Sequence, residues 1–145
     1  MPSFIEYLKT QIGNKVDPSP HLTSSWLAGT LMAVNETELT IAYTIRPEMT
    51  NPMRILHGGI GATMLDETIG TLVFATSGGT FVATINLALD YLSAGKLGET
   101  VFATGYIIRR GRQIVHVEGK LTNEQGKILV KCTGNMLITE RKIGE

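Results

Sequence analysis

Cysteine is nearly absent: Cys132 stands alone in 145 residues. No intrachain disulfide can form, which points to a reducing compartment. Net charge is lacking too, with 13 basic and 13 acidic residues. Without an excess of either sign there is no electrostatic case for nucleic acid or an anionic membrane as the main partner. Long hydrophobic runs are missing. The most apolar stretch, 60–75, carries Asp66 and Glu67 and is too short to span a bilayer. The N-terminal segment holds Glu6 and Lys9 and no continuous apolar run, so it does not read as a signal peptide. A soluble cytoplasmic protein is the expectation. No Cys/His cluster has metal-ligand spacing, and no glycine-rich phosphate loop of the P-loop or dinucleotide type occurs. Neither a metal nor a resident cofactor is expected.

What is present fits one compact domain over residues 1–145, with 43% hydrophobic and 18% charged residues. Residues 1–25 read as an N-terminal helix and loop. Phe4, Ile5, Leu8 and Ile12 recur at helical spacing, and Asp17-Pro-Ser-Pro-His21 is a loop by composition. A strand near 27–34 should pair with one over 39–46 through Asn35-Glu-Thr-Glu38. A long helix should run from Gly59 or Ile60 to about Thr76. Its apolar residues cover nearly the whole circumference, the mark of a helix buried on most sides. Four strands should follow, over 81–91, 100–109, 113–121 and 127–139. In the first, Phe81, Ala83, Ile85, Leu87, Leu89 and Tyr91 should share one face, with Thr84, Asn86 and Asp90 opposite. The reading is α+β: one long helix covering an antiparallel meander. The uncovered face and edges of such a sheet call for a homo-oligomer.

The residues that carry chemistry lie between Asn51 and Gly70, in NPMRILHGGIGATMLDETIG. His57-Gly58-Gly59 opens the helix, Asn51 precedes it by six positions, and Asp66 follows the histidine by nine. An ionised carboxylate in so apolar a segment is expensive and needs a reason. Together with the strand Thr84-Ile-Asn86 leading to Tyr91-Leu92-Ser93, and the turn Ala94-Gly95-Lys96-Leu97-Gly98-Glu99, these marks resemble the hotdog fold, in which a sheet wraps a central helix. The branch they resemble is the acyl-CoA thioesterases that include the phenylacetate-pathway enzymes. The likeness covers nearly all of the chain beyond the N-terminal helix and loop.

The resemblance implies hydrolysis of R–CO–S–CoA to a carboxylic acid and coenzyme A, with coenzyme A entering only as part of the substrate. Elementary chemistry agrees. N–H groups at a helix N-terminus are unpaired and sit at the positive end of the dipole, and glycine lets a ligand approach them. Gly58 N–H is the expected oxyanion donor, with Gly59 beside it. Asp66 is the expected general base on water, or the nucleophile through an anhydride. By resemblance, Asp66 faces the partner subunit's His57-Gly58-Gly59 in a homodimer, itself half of a dimer of dimers. Asn51 and His57 would orient thioester or water, though His57 could simply cap the helix. Thr84, on the face of its strand away from the core, would help hold the water. Met53, Met64 and Leu65 are candidates for the acyl pocket, and Arg109, Arg110 and Arg112 for the phosphates of coenzyme A, since a guanidinium fork suits phosphate. Glu67 is expected to face solvent or a subunit contact, His116 to be solvated, and Cys132 to be a small core hydrophobe. Two other functions compete: a hotdog hydratase or dehydratase, in which the histidine would be the base, and a non-catalytic acyl-CoA-binding module.

Overall fold

The computed structural model describes residues 3–16 and 22–142; the loop at 17–21, with His21, lies outside them. The elements are α1 (Phe4–Thr10), α2 (Thr23–Leu27), β1 (Thr30–Val34), β2 (Glu38–Thr44), a 3-10 turn (Pro47–Met49), α3 (Gly58–Thr76), β3 (Thr80–Tyr91), β4 (Thr100–Arg110), β5 (Ile114–Asn123) and β6 (Ile128–Lys142). Six antiparallel strands form one sheet in the order β1-β2-β4-β5-β6-β3. Its concave face holds α3. A sheet curled around one long helix is the α+β hotdog arrangement.

Burial explains why α3 sits there. Met64, Leu65, Thr68, Ile69, Leu72 and Val73 are fully buried, packed among Ile41 and Tyr43 of β2, Ala103 of β4, Val117 of β5 and Met136 of β6. Burying that much apolar surface contributes roughly 1.5–3 kcal/mol for each large side chain. The helix comes closest at the middle of the sheet. Gly105 and Gly119 face each other across β4 and β5. A Cβ at Gly105 would lie 3.2 Å from the Ile69 Cα, and one at Gly119 would lie 3.0 Å from the Ile69 Cδ1. Two side-chain-free positions let the sheet close on the helix backbone.

Three expectations change. The strands after α3 are not a simple meander, because β3 pairs with β6 at the far edge and not with β4. A 19-residue helix is about 28 Å long. It carries the chain to the opposite side of the sheet before β3 begins. Second, β3 does not keep one apolar face. Its register slips between Thr84 and Asn86. Val82 packs on the core before the bulge, and Leu87 and Leu89 do so after it. Ile85, in the bulge, is 51% exposed. A single extra residue reverses the alternation. Third, Leu27 belongs to a short helix and not to β1. The end of that helix is closed by Arg46, whose guanidinium donates to the Leu27 carbonyl at 3.1 Å and to the Trp26 carbonyl.

Candidate active site

The loop before α3 is built by Asn51. Its Oδ1 accepts from Met53 N–H at 3.0 Å and Ile55 N–H at 3.4 Å. Asn51 N–H donates to the Ile55 carbonyl at 2.9 Å, and Arg54 takes the left-handed conformation, φ 60°. Met53 projects from this loop, 79% exposed. His57 caps the helix. Its Nδ1 accepts from Gly59 N–H at 3.0 Å, and its carbonyl accepts from Ile60 and Gly61 N–H. A neutral ring with Nδ1 as acceptor carries its proton on Nε2. Among the described residues the Gly58 N–H has no acceptor.

Asp66 lies two turns further along. Its Oδ1 accepts from the Thr84 hydroxyl at 2.6 Å. Among the described residues no lysine or arginine pairs with it. The bulge in β3 turns Thr84 toward the helix, so this threonine does not face away from the core side as its alternation suggested. Asp66 borders a cleft of about 680 Å³ whose walls are Phe4, Leu8, Gly70, Phe74, Phe81 and Val82. Phe4 and Phe74 meet edge to face with ring centroids 5.1 Å apart. Carboxylate and apolar cleft are therefore continuous.

Glu67 behaves differently from its neighbour. Its Oε2 accepts from the Tyr43 hydroxyl at 2.7 Å. Of the two expected settings, solvent or a subunit contact, plain solvation does not hold: Glu67 is part-buried, bonded to Tyr43 of the sheet, and borders the same cleft as Asp66. Burial, and then the Glu67 charge, push the Tyr43 phenol well above its ordinary range. Cys132, on the sheet beneath, is buried, and its thiol is pushed up to about 11 by burial, Asp66 and Glu118.

Several predicted residues are not brought to Asp66. Met64 and Leu65 are fully buried against the sheet and do not line the cleft. At about 100° per residue they fall on the opposite side of α3 from positions 63, 66, 70 and 74. Arg110 donates to the Ser77 hydroxyl at 3.0 Å and to the Thr76 hydroxyl, tying β4 to the last turn of α3. It is about 27 Å from Gly58 along the helix. Arg109 and Arg112 border a separate depression of about 450 Å³ with His116 and Asn135. His116 alternates with buried Val115 and Val117, so that depression lies on the sheet face away from α3. His116 is half-buried rather than solvated, with Nδ1 3.1 Å from Asn135 Oδ1.

The motif reading assigned no part in the site to Tyr91. Its hydroxyl donates to the Gly58 carbonyl at 2.7 Å. The available signal was an aromatic residue with a polar tip at a strand end.

Fold and site together define a hotdog protein with a carboxylate at an apolar cleft and, two turns back along the same helix, an entrance N–H without an acceptor among the described residues. The family model described as the thioesterase superfamily matches residues 53–130, which include all of α3. The chain belongs to the thioesterase superfamily. Acyl-coenzyme A thioesterase 13 of Mus musculus is 26% identical over 103 residues, covering 70% of this chain and 74% of that one. A phenylacetic acid degradation-related protein of Ralstonia eutropha JMP134 is 27% identical with a TM-score of 0.78, covering 94% of this chain and all of that one. The E. coli PaaI protein of the phenylacetic acid degradation operon shares the fold at 19% identity and TM-score 0.77, over 82% of this chain and 85% of that one.

Proposed function

We propose that the protein hydrolyses acyl-CoA thioesters in a site assembled from two copies of the chain. The observation that carries this reading is a separation. Gly58 and Asp66 are eight residues apart on one helix, about 12 Å along its axis. A carbonyl oxygen and the group attacking that same carbonyl sit within about 3 Å of one carbon. That separation is too long for one protomer to supply both donor and nucleophile to one thioester, and it leaves a water-mediated base poorly placed as well. Two antiparallel copies of α3 can supply both.

In that composite site the Gly58 N–H of one copy donates to the thioester oxygen and stabilises the charge that develops on it. Such a donor is worth about 2.7–4 kcal/mol of barrier. Asp66 of the partner takes a proton from water as the water oxygen bonds to the carbonyl carbon. The C–S bond then breaks, and the proton passes to the sulfur of coenzyme A. Thr84 holds Oδ1, which directs Oδ2 at the water. In the nucleophilic variant Oδ2 itself bonds to the carbonyl carbon, coenzyme A leaves, and water opens the anhydride. When the water opens the anhydride at the Asp66 Cγ, a single turnover in ¹⁸O-water places label in Asp66, which the general-base route never does. The acyl group occupies the cleft between Phe74, Phe81 and Phe4. Exposed Met53 stands at the helix entrance, where the substrate arrives.

Mixing two inactive variants tests the composite site. Asp66→Ala and Gly58→Pro each remove one half of it. Proline is tolerated at a first helical position, and the His57 ψ of 134° suits a residue before proline. Re-associated from the two chains, half of the dimers are mixed and each has one intact site. Thiol release from an acyl-CoA should return to about a quarter of the wild-type rate. No recovery from verified mixed dimers would place donor and base in one protomer and end this reading.

A further inference from the structure

We propose that Tyr91 is the positioning residue for the Gly58 N–H. The inference rests on the reading of Gly58 as the donor to the thioester oxygen. Two consecutive glycines open α3, and glycine is the residue least able to hold its own peptide planes still. A donor contributes most when it is aimed before the reaction begins. Something other than Gly58 must therefore fix that segment.

The hydrogen bonds show what does. His57 N–H donates to the Met49 carbonyl at 2.9 Å, and the His57 carbonyl accepts from Ile60 and Gly61 N–H at 3.0 and 3.1 Å. Gly59 N–H donates to His57 Nδ1 at 3.0 Å. The Gly59 carbonyl accepts from the Thr63 hydroxyl at 2.8 Å. The Gly58 carbonyl accepts from the Tyr91 hydroxyl at 2.7 Å. Of the backbone polar groups of residues 57–59, Gly58 N–H alone lacks a partner among the described residues. The peptide between Gly58 and Gly59 is thus held at both ends, its oxygen by Tyr91 and its nitrogen by His57. The Gly58 N–H lies in the plane before it, which the His57 carbonyl bonds hold. Tyr91 acts on the other side of the Gly58 Cα, fixing ψ of Gly58 and so the one joint about which that N–H could swing relative to the helix.

Packing adds a second restraint. A Cβ built on Gly58 would stand 3.3 Å from Cε1 and Cζ of the Tyr91 ring and 3.4 Å from its Oη. The ring lies flush against the glycine and closes one side of it. Yet Tyr91 is 54% exposed. Core burial does not explain its place; the bond to Gly58, 33 residues away in the chain, does. The bulge in β3 contributes by setting where the strand ends relative to α3.

Tyr91→Phe is the test, because it keeps the ring and removes only the hydroxyl. We expect kcat to fall about tenfold, with KM for the acyl-CoA within about twofold of wild type. A residue needed only for folding would move neither. In a Gly58→Pro background, where the N–H is gone, the same change should cost less than about twofold, since residues acting through one group are not additive. Equal kcat for wild type and Tyr91→Phe, alongside an inactive Gly58→Pro, overturns the positioning role and leaves the donor reading standing. Full activity in Gly58→Pro overturns the donor reading itself. A measurement on Tyr91→Phe alone covers the case in which Gly58→Pro does not fold. The amide order parameter of Gly58 should drop below the rigid-backbone value of about 0.85, and an unchanged order parameter overturns the clamp.

Discussion

The two sides of α3 are built from similar residues and do opposite things. Toward the sheet, Met64, Leu65, Thr68, Ile69 and Leu72 are fully buried. Toward the cleft, Asp66, Gly70 and Phe74 border about 680 Å³ of open space. The adjacent carboxylates both border that cleft and differ in their partners. Glu67 accepts from a tyrosine of the sheet, whereas Asp66 accepts from the hydroxyl of an edge-strand threonine. A helix apolar around its circumference is therefore not one buried cylinder. One side holds the fold, and the other borders an open apolar cleft.

The sharpest way to break this contrast is to neutralise each carboxylate in turn. Asp66→Asn should lower kcat about 10³-fold, in the range of lost general base catalysis. Its thermal midpoint should stay near wild type, because Asp66 is partly exposed. Glu67→Gln should leave kcat nearly unchanged and shift the thermal midpoint instead. Steady-state thiol release and calorimetry on both variants check the pair; the reverse pattern would exchange their roles.

The next effect is on the sheet side. Leu72→Ala should destabilise the protein by about 2–5 kcal/mol, the usual cost of a large buried residue replaced by alanine. The specific activity of the folded fraction should not change. Urea unfolding followed in parallel with activity measures both.

A smaller effect belongs to the cleft. A Cβ at Gly70 would meet nothing within 4 Å, so Gly70→Leu fits on the helix and fills the space beside Asp66. KM for bulky acyl-CoAs should rise several-fold while acetyl-CoA is spared. An equal effect on both substrates would mean that the cleft is not the acyl site.

The smallest effect is on pH dependence. Cys132 and Tyr43 hold their protons more tightly folded than unfolded. Below pH 9 both groups are protonated in either state, and their contribution is fully present. Above the ordinary thiol value of 9.0 the unfolded chain gives up its proton while the folded one keeps it to about 11, so stability falls as pH rises across that window. Tyr43 continues the decline above its ordinary 10.0. The thermal midpoint should drop between pH 9 and 11, and drop less in Cys132→Ala.

Much of this was legible in the residues themselves. Periodicity placed α3 and the strands within a few positions. His57-Gly58-Gly59 marked the helix entrance, and Asp66 stood out because a charge in an apolar helix is costly. Those signals are local, carried by near neighbours in the chain. Strict alternation aims Thr84 away from the core, and it fails because the bulge at Ile85 puts Thr84 out of step with Leu87 and Leu89. Met64 and Leu65 are apolar residues of the helix next to Asp66 in sequence, and on a helix that puts them on a different side, against the sheet. Arg110, a phosphate candidate by residue type, is tied to the last turn of α3 by pairings that residue type does not show.

What the sequence by itself determined is the set of elements, the glycine helix entrance and the presence of a carboxylate within the apolar helix. Each depends on interactions spanning a few residues, where propensity, periodicity and capping decide. Only the tertiary structure decided that β3 crosses to the far edge, that Thr84 binds Asp66, that Tyr43 takes Glu67 and that Tyr91 closes over Gly58. Those pairings join residues 18 to 33 positions apart. They depend on strand order and on one slip of register, which no local pattern encodes.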